Sequence, residues 1–267
     1  MLNVDNDGVE IAYEILNGES SKTPICFIAG LGGVRQSVMS PASVFAKDRP
    51  VVLHDHRGTG QSAKPLGVYS IETMASDMIA VLDDAGIEKA HFAGFSTGGA
   101  ICQVLTLNYP DRVQSVALCC TWPKSDHFFR RQFECRKQML LEQGTDAVMR
   151  LASVSLHDPK YFTDHYEEVV QWEDRAIAGA GPREVDAERM DAIIAHDQLD
   201  RLGQITRPTI IMCARNDAVC PDYNSKLMAE VIPQAELKLY EDGGHFFYVA
   251  RADEFNADLA GFVARHE

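Results

Sequence analysis

Ala90-His91-Phe92-Ala93-Gly94-Phe95-Ser96-Thr97-Gly98-Gly99-Ala100-Ile101 is the stretch that decides the fold. An apolar run enters it, a glycine-bracketed serine interrupts it, and a helical pattern leaves it, reaching Asn108 before Pro110 closes the segment. A serine on so tight a strand-to-helix turn has strained backbone angles and crowded neighbours. Small residues are therefore needed two positions before and after it, here Gly94 and Gly98. The hydroxyl then projects above the sheet, and the helix N-terminus lies beneath the reacting carbonyl. At background residue frequencies G-x-S-x-G recurs by chance about 0.1 times in a chain of this length, so the motif needs support from elsewhere.

Working outward, short β-branched and apolar runs alternate with helical patterns. After an N-terminal hairpin, strands are expected at Ile25 to Ile28, Val51 to His54, His91 to Ala93, Val116 to Cys119, Ile210 to Cys213 and Glu236 to Leu239. Helices are expected near Ser37 to Phe45, Ile71 to Ala85, Thr97 to Asn108, Pro221 to Val231 and Ala252 to Ala264, with Gly86 at a helix C-terminus. This alternation predicts an α/β fold, a mostly parallel eight-stranded sheet with helices on both faces. From Thr121 to Asp197 the text is helical, polar and free of strand-like runs, and reads as an inserted helical cap. Residues 1–120 and 198–267 then form the two parts of one core, and 121–197 the cap.

Two late segments support the serine. Arg215-Asn216-Asp217 lies just past one strand, and Gly243-Gly244-His245 follows the last. Serine is a poor nucleophile at neutral pH, so an imidazole must take its proton on attack and pass it to the leaving group. A carboxylate fixes the imidazole tautomer and stabilises the imidazolium. Ser96, Asp217 and His245 are the expected triad, with Asp126 as a rival acid shortly after the strand that precedes the cap. Ala29-Gly30-Leu31-Gly32-Gly33 follows the first parallel strand, and its turn can aim N–H groups at a developing oxyanion. The N–H groups of Leu31 and Thr97 are assigned that role, with Gly30 among the substrate-contacting positions.

Other motifs are set aside. A phosphate cradle would need glycine where Arg35 stands. Gly58-Thr59-Gly60-Gln61-Ser62-Ala63 fits a dinucleotide fingerprint formally, but Lys64-Pro65 interrupts any helix beginning there, and a structural turn is expected. His54 and His56 flank Asp55, yet alternation along a strand and the want of a further ligand pair argue against a metal. No cofactor and no metal are expected.

Composition bounds the rest. The chain has 267 residues, 46% of them hydrophobic and 24% charged, enough for a substantial core. A net charge of −14 argues against a nucleic-acid partner, which would call for a basic face. No apolar run is long enough to span a membrane. The N-terminus lacks a basic start and apolar stretch, so a cytoplasmic location is expected. The seven cysteines form no C-x-x-C pair and read as buried thiols. A homodimer is compatible with the sequence.

Together, strand-A-G-L-G-G, Asp55-His56-Arg57-Gly58-Thr59-Gly60-Gln61-Ser62, Gly94-Phe95-Ser96-Thr97-Gly98-Gly99, a late Asp and Gly243-Gly244-His245 resemble the α/β-hydrolase superfamily. The likeness spans nearly the whole chain outside the cap and includes the order Ser, Asp, His. Gly30-Leu31-Gly32-Gly33, Asp55-His56-Arg57-Gly58-Thr59-Gly60 and Tyr69-Ser70-Ile71-Glu72 are most similar to a bacterial branch containing 3-oxoadipate enol-lactonases and aminoacrylate hydrolases. The sequence departs from many relatives in carrying Ala29 where they have histidine, which bears on how the oxyanion loop is held. Relatives that dehalogenate or open epoxides have aspartate where this chain has Ser96.

The cap segment His127-Phe128-Phe129-Arg130-Arg131-Gln132-Phe133-Glu134-Cys135-Arg136-Lys137 is basic inside an acidic protein. On a helix Phe129, Phe133 and Arg136 share about one stripe. Arg130, Arg131 or Arg136 lowered over the serine would hold a substrate carboxylate in a two-point contact, and Trp122, Phe128, Trp172 and Phe246 would line the apolar part of the pocket. The expected activity is hydrolysis of an ester, enol-lactone or enamine/amide-type bond in a small carboxylate-bearing metabolite through an acyl-enzyme. A carbon–carbon bond hydrolase, an acyltransferase, or a small-molecule receptor with a vestigial triad would share the same residues.

Overall fold

The computed structural model describes residues 1–267. The chain opens with strands β1 (Leu2–Asn6) and β2 (Val9–Leu16), joined by Asp7-Gly8 at φ 53° and 79°. Two successive left-handed residues are what a two-residue hairpin demands, and an Asp-Gly pair supplies them. The strands β3 (Ile25–Ile28), β4 (Val51–His54), β5 (Ala90–Phe95), β6 (Val113–Cys119), β7 (Thr209–Ala214) and β8 (Glu236–Tyr240) complete an eight-stranded sheet. Its order is β1-β2-β4-β3-β5-β6-β7-β8. The pairings β1 with β2 and β2 with β4 are antiparallel, and the rest are parallel.

The helices are α1 (Met39–Phe45), α2 (Ile71–Asp84), α3 (Thr97–Asn108), α4 (His127–Gln143), α5 (Thr145–Leu156), α6 (Pro159–Asp164), α7 (Tyr166–Ala178), α8 (Arg183–Ala195), α9 (Asp222–Val231), α10 (Phe247–Ala250) and α11 (Ala252–Arg265). Strand alternation divides the core in two. Ile25, Phe27, Val51 and Leu53 pack on one face with Phe45, Phe255 and Phe262 of α1 and α11. Cys26, Ile28 and Val52 pack on the other with Met74 and Met78 of α2, Ile101 and Leu105 of α3, and Met228 of α9. At Ser70 the sequence starts α2 with a reciprocal cap, the Ser70 hydroxyl accepting from the Thr73 N–H and the Thr73 hydroxyl accepting from the Ser70 N–H.

Between β6 and β7 lie only helices, α4 to α8, as the sequence implies. The two stems that carry them run antiparallel. Lys124 bridges Asp197, the Ser125 N–H donates to the His196 carbonyl at 3.1 Å, and the Gln198 N–H donates to that of Pro123 at 2.9 Å. Trp122, Phe129, Phe133, Met190 and Ile193 join the same apolar cluster as α2 and α3, so the helical segment rests on the core through buried side chains. No helix is long and apolar enough to cross a membrane.

Candidate active site

At the junction of β5 and α3, Ser96 has φ 54° and ψ −114°, a left-handed conformation for a residue with a side chain. Such strain persists only where the surroundings enforce it. The enforcement is visible at the glycines. A Cβ on Gly94 would lie 2.2 Å from the Gly98 carbonyl oxygen, one on Gly98 2.1 Å from that of Ile28, and one on Gly99 2.5 Å from Thr121 Cβ. Helix α3 therefore meets β3 and the end of β6 with no room for a methyl group. The Ser96 N–H donates to the Cys119 carbonyl at 2.9 Å, tying the turn to β6.

Asp217 and His245 come together from the loops after β7 and β8. His245 Nδ1 lies 2.8 Å and 3.0 Å from the two Asp217 carboxylate oxygens, and both residues are buried. Asp217 Oδ1 also accepts from the N–H groups of Val219 at 2.8 Å and Cys220 at 2.9 Å, which fixes the carboxylate before the imidazole reaches it. A carboxylate only accepts, so Nδ1 carries the hydrogen and Nε2 is the lone-pair nitrogen open to a hydroxyl. The rival acid, Asp126, caps α4 instead, accepting from the Phe129 N–H at 2.8 Å.

A residue that the motif reading passed over binds this corner together. Asn216 Oδ1 accepts from the Gly244 N–H at 2.9 Å, while its Nδ2 donates to Asp158 at 2.5 Å. The Phe246 N–H donates to the Leu156 carbonyl at 2.9 Å, and His157 bridges Gly244. The histidine loop is thus held by its neighbour loop and by the turn between α5 and α6. A Cβ on Gly244, at φ +66°, would stand 2.6 Å from Asp158 N.

On the other side of Ser96 is the Gly30 turn. A Cβ on Gly30 would lie 3.4 Å from Ser96 Cβ, so the loop passes directly beside the serine. The Gly33 N–H donates to the Gly30 carbonyl at 2.9 Å, closing a tight turn over Leu31 and Gly32. Neither the Leu31 N–H nor the Thr97 N–H takes a protein acceptor, so both donors are unpaired. The Leu31 carbonyl is not free: it accepts from the guanidinium of Arg189, a helix α8 residue that the sequence reading did not single out.

The structure sorts the substrate-contacting residues proposed from sequence. Arg130 and Arg131 are exposed, and Arg130 lines a surface groove of about 430 Å³ with Glu134, Lys137 and Asp191; neither is brought to Ser96. Arg136 is buried, as its place on the Phe129 and Phe133 stripe requires. Its guanidinium donates to Gln132 Oε1 and Ser155 Oγ, both at 2.7 Å, and lies over the Phe133 ring. Burial lowers its pKa to about 10, the nearby Cys220 and Asp217 opposing that shift. Trp122 is a core residue, stacked on Phe129 at 4.2 Å, and Phe128 is exposed. Trp172 and Phe246, 5.6 Å apart, are half-buried and meet around His157, with the Phe246 ring 6.2 Å from that of His245.

Asp55 accepts from the Arg35 N–H and from the Gln61 N–H, each at 2.9 Å, and Arg57 is paired with Asp77 at 2.7 Å and 2.6 Å, both residues buried. The segment from Asp55 to Ser62 is a braced turn. The alternation argument against a His54–His56 pair does not hold, because residues two apart share a side: the rings lie 5.1 Å apart, both buried. No group of three or more His, Cys, Asp or Glu side chains is placed to hold a metal ion. Six cysteines are buried and Cys135 is exposed.

A strained serine on a strand-to-helix turn and a hydrogen-bonded His-Asp pair on the loops after β7 and β8 of the same mostly parallel sheet are the features of a hydrolase of α/β type. The chain belongs to the alpha/beta hydrolase fold family, whose profile matches residues 23–252. It is 36% identical over 253 residues to the RutD protein of Azorhizobium caulinodans, which carries the name of a carbamate hydrolase; the match covers 95% of this chain and 94% of that one. Among solved structures it is similar to the enol-lactonase from Burkholderia xenovorans LB400, at a TM-score of 0.92 and 22% identity over 98% of this chain and all of that one. It is also similar to Est816, described as an N-acyl homoserine lactone degrading enzyme, at a TM-score of 0.85 and 28% identity over 98% of this chain and 100% of that one. The protein is a hydrolase of this family.

Proposed function

We propose that the protein hydrolyses an ester, lactone or enamine/amide-type bond of a small carboxylate-bearing molecule through an acyl-enzyme on Ser96. The observation that carries this reading is the His245–Asp217 hydrogen bond of 2.8 Å at a site where Ser96 is strained to φ 54° beside two unpaired N–H groups. Ser96 Oγ adds to the acyl carbon while its proton passes to His245 Nε2. The carbonyl oxygen becomes an oxyanion held by the Leu31 and Thr97 N–H groups. The tetrahedral adduct collapses, and His245 gives that proton to the departing alcohol, enol or amine. Water then adds to the acyl-enzyme as His245 takes one of its protons, and the proton returns to Ser96 Oγ as the acid leaves. Asp217 stabilises the imidazolium in both halves.

Arg136 supports the carboxylate. It is a buried cation whose hydrogen-bond partners, Gln132 and Ser155, are neutral. A substrate anion would offset the cost of burying that charge. The helical segment 121–197, which supplies Arg136, Trp172 and Arg189, is proposed as the cap over the site.

Fluorophosphonate labelling with peptide mapping tests the proposal. Modification confined to Ser96, absent in His245→Ala, is the expected result, with Ser96→Ala losing turnover by about 10³-fold or more on small esters, lactones, enamides and carbamates. Retained turnover in pure Ser96→Ala, or labelling elsewhere, overturns it.

A further inference from the structure

We propose that Arg189 is a positioning residue that locks the oxyanion turn in the geometry catalysis needs. The inference rests on the reading of Ser96, Leu31 and Thr97 given above. Arg189 stands on α8 and is 2% exposed. One guanidinium nitrogen donates to the Leu31 carbonyl, 158 residues away in sequence, and another donates to Asp186 at 3.2 Å on the same helix. Two glycines from different core loops keep its path open. A Cβ on Gly33, at φ +68°, would lie 2.5 Å from Arg189 Nη2, and one on Gly58, at φ +85°, would lie 2.9 Å from Arg189 Cδ.

What the guanidinium holds is the weak point of the turn. Gly30 to Gly33 is a four-residue turn closed by the Gly33 N–H on the Gly30 carbonyl, and the Leu31 carbonyl belongs to its central peptide. That central peptide is the one that differs in direction between the common turn types, and glycine at the third position admits both. Gly32 occupies that position and does not have a positive φ. Left alone, the Leu31–Gly32 peptide has two accessible orientations, which differ in ψ of Leu31 and φ of Gly32. A charged donor on the Leu31 oxygen selects one of them and ties the residue whose N–H is assigned to the oxyanion to a buried side chain of α8. The Gly33 carbonyl is held as well, accepting from the His56 N–H at 2.8 Å and the Thr59 hydroxyl at 2.9 Å. A slot that needed only filling would be better served by an apolar side chain, since Arg189 Nε is buried without a partner. This also answers how a loop with Ala29 in place of histidine is held: the brace comes from α8.

The test compares wild type, Arg189→Met, Arg189→Lys and Asp186→Asn by the rate constant for fluorophosphonate labelling of Ser96, by kcat and KM on a neutral aryl ester, and by urea unfolding. In the Met variant the labelling rate and kcat are expected to fall together by about 10- to 100-fold with KM within about threefold, because an oxyanion donor acts mainly on the transition state. The Lys variant should recover part of the loss, and it carries the test if the Met variant does not fold. Asp186→Asn, which removes the ion pair but leaves the guanidinium on Leu31, is expected to stay within about twofold of wild type. Wild-type rates in both Arg189 variants, or an Asp186→Asn loss equal to that of Arg189→Met, would overturn the inference while the serine mechanism stands. Failure of the wild type itself to label at Ser96 would remove both.

Discussion

Arg136 carries its charge in a place where a charge is costly. Even with its pKa lowered to about 10, it is protonated at neutral pH, and its hydrogen-bond partners are neutral oxygens. Arg136→Met should therefore raise KM for substrates with a carboxylate by about 10- to 100-fold while changing KM for neutral esters of the same size by less than about threefold. Equal losses on both would show that the side chain serves packing. This residue was legible in the sequence because Phe129, Phe133 and Arg136 share one helical stripe, whereas Arg130 and Arg131 fall outside it and end exposed. Ser96, Asp217 and His245 are singled out in the sequence for another reason: each lies on the loop that follows a strand, and glycines mark the turns at Ser96 and His245. Arg189 is not. An arginine three residues after an aspartate on a helix reads as a surface pair, and only docking against Gly33 and Gly58 makes it a buried donor to Leu31.

At the scale of elements, β3, β4, β5 and β7 came through because their apolar runs are buried on both faces, while the edge strand β8 is buried only at Tyr240. Strand β6 is longer than expected because its first turn of sequence is polar. There Ser115 pairs with His91 at 2.7 Å and Gln114 donates to the His266 carbonyl at 2.8 Å, so polar residues are satisfied inside a strand. What periodicity does not convey is how loops brace one another. Asn216 is the clearest case, joining the loops after β7 and β8 to the turn between α5 and α6. Asn216→Ala leaves the Gly244 N–H and Asp158 without that partner, and the His245 loop loses its spacing from Asp217. The expected result is a fall in kcat of about 10-fold or more with KM little changed, and a loss of about 1–2 kcal/mol in urea unfolding. Asn216→Asp keeps an acceptor for Gly244 but sets two carboxylates against each other at Asp158, and should be at least as slow. Wild-type kcat in both variants would show that the three segments hold without this residue.

For the whole molecule the acidic surface and the buried histidines pull in opposite directions as pH falls. Protonating surface carboxylates relieves a net charge of −14 and favours the compact state. Against this stand His54, His56, His91 and His196, all buried, each with its pKa lowered chiefly by desolvation, His91 and His196 to about 4. In the unfolded chain these side chains titrate near 6.5. Above that pH both states are neutral and the histidines contribute their full stability. Below it the unfolded chain takes up protons that the folded chain cannot accept, so stability falls from about pH 6.5 and for His91 and His196 keeps falling to about pH 4. Each such group removes up to about 1.4 kcal/mol per pH unit, so near pH 5.5 His91 and His196 together should account for about two protons taken up on unfolding. The burial of His196 also bears on where acid acts first. It lies on the stem of the helical segment, its carbonyl accepting from the Ser125 N–H at 3.1 Å and its ring 5.9 Å from Trp122, so charging it loosens the joint between helices and core. Urea midpoints measured from pH 7.5 to 5.0 should drop steadily below 6.5, and His196→Gln should shrink the slope by about one proton; a midpoint that holds or rises on acidification would mean that charge relief at the surface outweighs the buried rings.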